Sequence, residues 1–149
     1  MIDAIDRRIL RELSKDGRIT NMELAERVNL SASACLRRTK ELERTGIIKG
    51  YRAVINPDAV GRAFAAYVTV GLSSHSKAAL DNFEAAMIEA DEVIECHNIA
   101  GEFEYLLRIA CSDLASYKQF HTEVLGTLAH VTSITSLIIM GSPKDLRAG

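Results

Sequence analysis

ITNMELAERVNLSASACLRRTKELERTG, residues 19–46, is the stretch whose reading decides the first half of the fold. Thr20 is placed to cap a short helix, with Glu23 three residues on to close a capping box. Leu24, Ala25 and Val28 give that helix one apolar stripe, and Asn29-Leu30 breaks it. Ser31 is then a good N-cap for a second helix running from Ala32 to about Arg44. On a 100° wheel Cys35, Thr39 and Leu42 share one face, with Ala32 and Leu36 beside it. Ser33, Arg37, Lys40, Glu41 and Arg44 point the other way. A short helix, a turn and a longer helix with a cationic outer face form a helix-turn-helix. Such a unit lays its second helix in the major groove of double-stranded DNA.

Working outward, Asp3 caps an upstream helix with Asp6 in its first turn, and Ile2, Ile5, Ile9 and Leu13 recur at helical spacing. Asp16-Gly17 ends it, and the three helices together make one unit. Downstream, Thr45-Gly46 closes the second helix of the motif. Tyr51–Ile55 alternates enough to be read as a wing or linker strand, expected to pair with the same strand of a second chain.

From Phe64 the period changes from helical to alternating. Strands are expected over Phe64–Leu72, Val93–Ala100, Phe103–Cys111 and Val131–Met140, with Gly101-Glu102 as a tight turn. Helices capped by Ser76 and Asp113 fall between them. The order βαββαβ is that of a ferredoxin-like domain. Two helices on one sheet face leave the other face open, and it is expected to be partly apolar and to favour association. The final SPKDLRAG reads as a frayed tail.

The charge distribution separates the halves. Residues 1–56 carry 12 Lys+Arg against 8 Asp+Glu, net +4, whereas residues 57–149 carry 6 against 12, net −6. A cationic first half and an anionic second half suit two domains with different partners. No apolar run approaches the roughly 18 residues that span a bilayer, so no membrane partner and a cytoplasmic setting are expected, and the DNA-binding reading makes that setting nucleoid-associated. Cys35, Cys96 and Cys111 are odd in number and lack metal-ligand spacing, which suits buried reduced thiols. His75, His97, His121 and His130 form no ligand or catalytic pattern, so neither an enzyme, nor a metal, nor a cofactor is expected.

Taken together, GRITNMELAERVNLSASACLRRTKELERTGIIKGY, the following NPDAVG and the later GEFEYLLRI resemble the Lrp/AsnC family of leucine- and asparagine-responsive regulators over nearly the whole chain. The resemblance implies an α+β protein: a winged helix-turn-helix domain (1–50), a linker strand (51–62) and a βαββαβ effector and oligomerisation domain of the ACT-like or RAM kind (63–149). It implies homodimers assembling into octamers, DNA wrapping or looping, and an amino-acid effector held between second domains. Ala32 and Ala34 stand where members often carry proline. Ala100-Gly101-Glu102-Phe103-Glu104-Tyr105 stands where members usually have Thr-Gly-x-x-Asp-Tyr.

The candidate DNA contacts follow. Arg37 is the base reader, because arginine paired to guanine is the commonest specific contact. Ser33 is small enough to reach a base edge or a phosphate, and Ser31 and Ala34 flank it. Lys40 and Arg44 meet phosphates, as do the backbone N–H groups at Thr20 and Asn21. Arg38 has two readings, a phosphate contact or an ion pair with a first-domain carboxylate. The candidate effector site is Ala100, Gly101, Glu102, Glu104 and Tyr105. There glycine lets N–H groups approach a carboxylate, and Glu104 is the acceptor for an ammonium. Leu137 and Ile138 are carried over from the family as lining from a neighbouring subunit. The alternative function is an architectural DNA-wrapping protein indifferent to small molecules.

Overall fold

Asp3 Oδ1 accepts the Asp6 N–H at 2.8 Å, and Asp6 Oδ2 accepts the Asp3 N–H at 3.3 Å. This reciprocal box starts α1, Ala4–Lys15. Thr20 caps α2, Asn21–Val28, by accepting the Glu23 N–H, and Asn29 ends it in the left-handed conformation at φ 58°. Ser31 caps α3, Ala32–Arg44, through the Ala34 N–H. The inward stripes bury Ile9, Leu24, Ala25, Val28, Cys35 and Leu42 in one cluster. Each large side chain buried there is worth about 1.5–3 kcal/mol, which short helices require because eight residues alone do not hold a helix in water.

The computed structural model describes residues 1–147 and falls into two compact units, Met1–Ala53 and a second that starts at Val54. In the second unit β1 (Phe64–Leu72), α4 (Lys77–Glu89), β2 (Val93–Asn98), β3 (Tyr105–Cys111), α5 (Leu114–Glu123) and β4 (Val131–Ile138) follow in chain order. The sheet is antiparallel in the order β2-β3-β1-β4, the ferredoxin-like arrangement. Ala66, Val68 and Val70 of β1 and Tyr105, Leu107 and Ile109 of β3 face the helices. There they meet Phe83 and Met87 of α4 and Tyr117 and Phe120 of α5.

Three expectations change. Tyr51–Ile55 is not a strand. No segment among the described residues runs alongside it to complete a ladder, and Val54 and Ile55 are left more than half exposed. The turn after β2 is longer than a tight hairpin. Residues 99–104 form a loop closed by Ile99 N–H to the Glu104 carbonyl at 2.9 Å, with Gly101 at φ 154°, a conformation that favours glycine.

The third change is at the tail and the open sheet face. That face is polar at its centre, where Tyr67 sits opposite Arg108, whose guanidinium lies 5.3 Å from the Tyr67 ring centre. The tail is not frayed over its described part. Asp145 pairs with Arg108 at 3.2 Å, and Arg147 reaches Glu95 and the Tyr67 hydroxyl. Buried or stacked charge gives this segment anchors that its composition did not advertise. Ala148 and Gly149 of the same tail lie outside the described residues.

Candidate DNA interface and effector site

The helix-turn-helix is tied internally before it meets any partner. Asn21 Nδ2 donates to the Ala32 carbonyl at 2.8 Å, joining the start of α2 to the start of α3. Leu30 N–H donates to the Ala25 carbonyl, so the turn leaves few backbone groups unpaired. The Thr20 cap is at 3.2 Å and the Ser31 cap also at 3.2 Å, with Ser33 Oγ hydrogen-bonded to Ser31 Oγ at 3.3 Å.

The exposed face of α3 is not uniformly free charge. Arg44 grips Glu41 through two hydrogen bonds at 2.7 and 2.8 Å, which holds the Glu41 carboxyl below its ordinary range. Lys40 stands 3.9 Å from Glu43. Arg37 is exposed and has no ion-pair partner among the described residues. Arg38 takes the structural reading. Its Nη1 contacts Asp3 at 2.7 Å and Asp6 at 2.9 Å, locking α3 against the start of α1. The Asp3 carboxyl is held down first by the Asp6 N–H and then by Arg38. Ala34 is half-buried behind the cap.

Sequence reasoning missed two kinds of residue here. Met22 of α2 and Leu36 of α3 are 72% and 47% exposed, apolar groups of the type that meet thymine methyls. Leu36 lies well off the centre of the buried stripe, which was the signal for its exposure. On α1, Arg7 and Arg11 are exposed and without an ion-pair partner among the described residues. Like charges four apart on a helix cost roughly 0.2–0.5 kcal/mol.

In the second unit the loop residues Ala100, Gly101 and Glu102 are exposed, as a ligand loop requires. Glu104 already has partners within the chain. Its Oε2 accepts the Leu72 N–H at 2.7 Å, and its Oε1 lies 2.7 Å from His75 Nε2. The Leu72 bond, followed by His75, holds the carboxyl below its usual range. Gly71 leaves room beside it, because a Cβ there would run into Ser133 Oγ unless that side chain shifted.

Tyr105 is corrected more sharply. The strand alternation turns it into the core, fully buried, with its ring 4.5 Å from that of Phe83 and its hydroxyl donating to Glu84 Oε1 at 2.5 Å. Leu137 and Ile138 are half exposed but sit level with Tyr67 and Ala66, at the far end of β4 from the loop. Within one chain, Ser133 and Ile134 are the β4 residues level with Gly71 and Val70, next to Glu104. His75 and Ser133 are therefore neighbours of the loop that spacing alone did not reveal.

Cys35 and Cys111 are buried and Cys96 is half-buried. Burial pushes these thiols up, Cys96 to about 11, the opposite of an activated nucleophile. His121 packs edge-on against Tyr117 at 6.1 Å. Among the described residues no His/Cys/Asp/Glu group is arranged to hold a metal, and no helix is long and apolar enough to cross a membrane.

Comparison with known proteins agrees with this division. Residues 2–49 match the winged helix-turn-helix DNA-binding family and residues 65–148 the Lrp/AsnC ligand binding domain. The chain is 43% identical to the leucine-responsive regulatory protein of Rhizobium meliloti, over 97% of this chain and 92% of that protein. It is 38% identical to the protein of the same name in Escherichia coli K12, over 97% and 88%. Among solved structures it resembles a transcriptional regulator of Neisseria meningitidis in complex with L-methionine, with a TM-score of 0.93 and 34% identity over 97% of this chain and 94% of that one. A feast or famine regulatory protein of Mycobacterium tuberculosis, also complexed with L-methionine, gives 0.82 and 35% over 97% and 96%.

Proposed function

Because the chain belongs to the Lrp/AsnC family of transcriptional regulators, we propose that α3 reads a specific duplex sequence and that an amino acid bound in the second unit tunes that binding. The observation that carries the DNA reading is Arg37. It projects from the Ser31-capped helix without a carboxylate partner among the described residues, while Arg38, Lys40 and Arg44 are each engaged. Arg37 is the base reader, and Ser33 and Leu36 lie beside it. Ser31, Ala34, Thr20 and Asn21 form the frame that presents backbone N–H groups to phosphate. Lys40 and Arg44 exchange Glu43 and Glu41 for phosphates on binding.

The effector is a small amino acid of the methionine or leucine class. Its carboxylate meets the N–H groups around Gly101, and its side chain lies against Leu137 and Ile138 of another copy. The two relatives solved with L-methionine support this choice over the architectural alternative. Glu104 shapes the site by bracing β1 and holding His75. Its Oε1 is the atom that an ammonium shares or takes from His75.

The same reading assigns residues 1–50 to DNA and 63–149 to effector binding and assembly. The unpaired Tyr51–Ile55 segment meets its counterpart in a homodimer, and dimers build an octamer. The exposed Val54, Ile55, Leu137 and Ile138 support that assembly. The protein then works in the cytoplasm on the nucleoid, as a regulator without cofactor or catalytic role. The test is fluorescence anisotropy on a duplex selected from a random library, with and without L-methionine or L-leucine. A shift in affinity or in sedimentation with one of them is expected. No response to any of the twenty amino acids would overturn the effector reading.

A further inference from the structure

We propose that the outer face of α1 is a second DNA-contacting surface, one that takes the backbone of a duplex segment other than the one read by α3. It rests on the DNA reading above and extends it to a face for which that reading has no use. Arg7, Arg11 and Lys15 stand four residues apart and so form one row along the helix. All three are exposed, while Ile9 on the opposite side is fully buried. The two flanks of α1 are occupied by its neighbours. Asp3 and Asp6 pair with Arg38 of α3, and on the other side Glu12 pairs with Arg27 of α2 at 3.1 Å while Arg8 donates to the Arg27 carbonyl. The row therefore points away from both α2 and α3.

Those pairings also explain why the row is bare. The acids of α1 that would neutralise it are drawn sideways into contacts between helices. Among the described residues Arg7 and Arg11 have no ion-pair partner, and Lys15 has only a 3.7 Å approach to Glu12. On α3 the arrangement is reversed, with Lys40 and Arg44 attended by acids of their own helix. A row of like charges is unfavourable by itself and becomes favourable against a polyanion. From Arg7 to Lys15 the row runs about 12 Å at 1.5 Å per residue, roughly the width of the major groove. A helix laid across that groove sets Arg7 on the phosphates of one rim and Lys15 on those of the other, with Arg11 between them within side-chain reach of a further phosphate. The contact is to backbone, so it carries affinity and no sequence information. With α3 on one segment and α1 on another, a single first unit joins two stretches of duplex.

The test uses the full chain carrying Arg7→Ala/Arg11→Ala, beside Arg7→Lys/Arg11→Lys. Alanine favours helix, so α1 is retained. Affinity is measured against salt on a duplex long enough for one site only and on one of several hundred base pairs. Capture of a second labelled duplex by bead-bound complex is measured alongside. On the short duplex the alanine variant should match wild type in affinity and discrimination. On the long duplex its salt slope should fall by about 1.8, roughly 0.9 for each phosphate that is no longer neutralised. Capture should drop, and the lysine variant should restore both. An unchanged long-duplex slope overturns the proposal. Equal loss on both duplexes overturns it too, since α1 would then belong to the primary interface. A change in self-association without DNA does the same, by assigning the row to the acidic half of another copy. If Arg37→Ala leaves discrimination intact while the long-duplex effect of Arg7 and Arg11 stands, the reading of α3 fails and the α1 surface does not.

Discussion

Replacing Tyr105 separates a core residue from a ligand contact. The ring is fully buried against Phe83 and its hydroxyl donates to Glu84. Tyr105→Ala removes a whole aromatic ring from the centre of the second unit, and large aromatic truncations of this kind cost about 3–5 kcal/mol. Tyr105→Phe keeps the ring and removes one hydrogen bond to a carboxylate. Such bonds are worth about 1.5–3 kcal/mol when both partners stay dry. Glu84 is half-exposed and regains water, so the loss should be near 1 kcal/mol, a fall of about 4–8 °C in melting temperature for a unit of roughly a hundred residues.

The pH response gives a second handle. Burial and the nearby Glu84 push the Tyr105 hydroxyl up from its ordinary value of 10.0. Below pH 10 neither state ionises and the stabilisation is complete. Above it the unfolded chain loses the proton while the folded one keeps it, so stability falls as the pH rises. Urea melts of the second-unit signal between pH 8 and 11 should show that fall in wild type and a weaker one in Tyr105→Phe. If Tyr105→Phe leaves the midpoint unchanged and abolishes amino-acid binding, the hydroxyl serves the effector and not Glu84, and the core assignment is wrong.

Three further outcomes follow from neighbouring contacts. Gly71→Ala should destabilise the second unit by roughly 1–3 kcal/mol through overpacking against Ser133, and Gly71→Ala/Ser133→Gly should recover most of it in the same melt. Glu104→Gln should flatten the acid side of the stability profile. The folded carboxyl lies below 4.5, so its contribution is present above that pH and is lost as the pH falls through the folded value. An unchanged acid profile would deny the bond to Leu72 any role in stability. Arg38→Met should loosen α3 from α1 and lower the first-unit melting temperature with sequence choice on DNA unaltered, read by anisotropy on matched and mismatched duplexes. Altered choice would return Arg38 to the DNA interface.

The first unit was legible because its signals are local. Asp3, Thr20, Ser31 and the left-handed Asn29 all act within a few residues of themselves, so spacing locates every helix start and stop. The βαββαβ order was equally plain, since alternation and helical period are also short-range. What sequence could not supply was direction at distance. Arg38 keeps two readings, phosphate contact or ion pair, until Asp3 and Asp6 arrive from more than thirty residues away and decide for the pair. Glu104 reads only as an ammonium acceptor until β1 presents the Leu72 N–H to it. Tyr105 is the instructive miss. The alternation Tyr105, Leu107, Ile109 already placed it on the buried face, but its adjacency to the loop outweighed that signal. The tail was misread for the opposite reason, because the residues that hold it, Arg108 on Asp145 and Glu95 and Tyr67 on Arg147, lie far off in sequence.

That Arg37 reads a base through an α3 free to enter the groove is tested most directly by one titration. Wild type and Arg37→Ala are measured at a single fixed salt concentration on the selected site and on a scrambled duplex of equal composition. The variant should bind the selected site about 5- to 150-fold more weakly, the ~1–3 kcal/mol that a bidentate base contact discriminates, with the scrambled duplex bound nearly as before. Equal weakening on both would contradict the base-reading role, because Arg37 would then touch only the phosphate backbone.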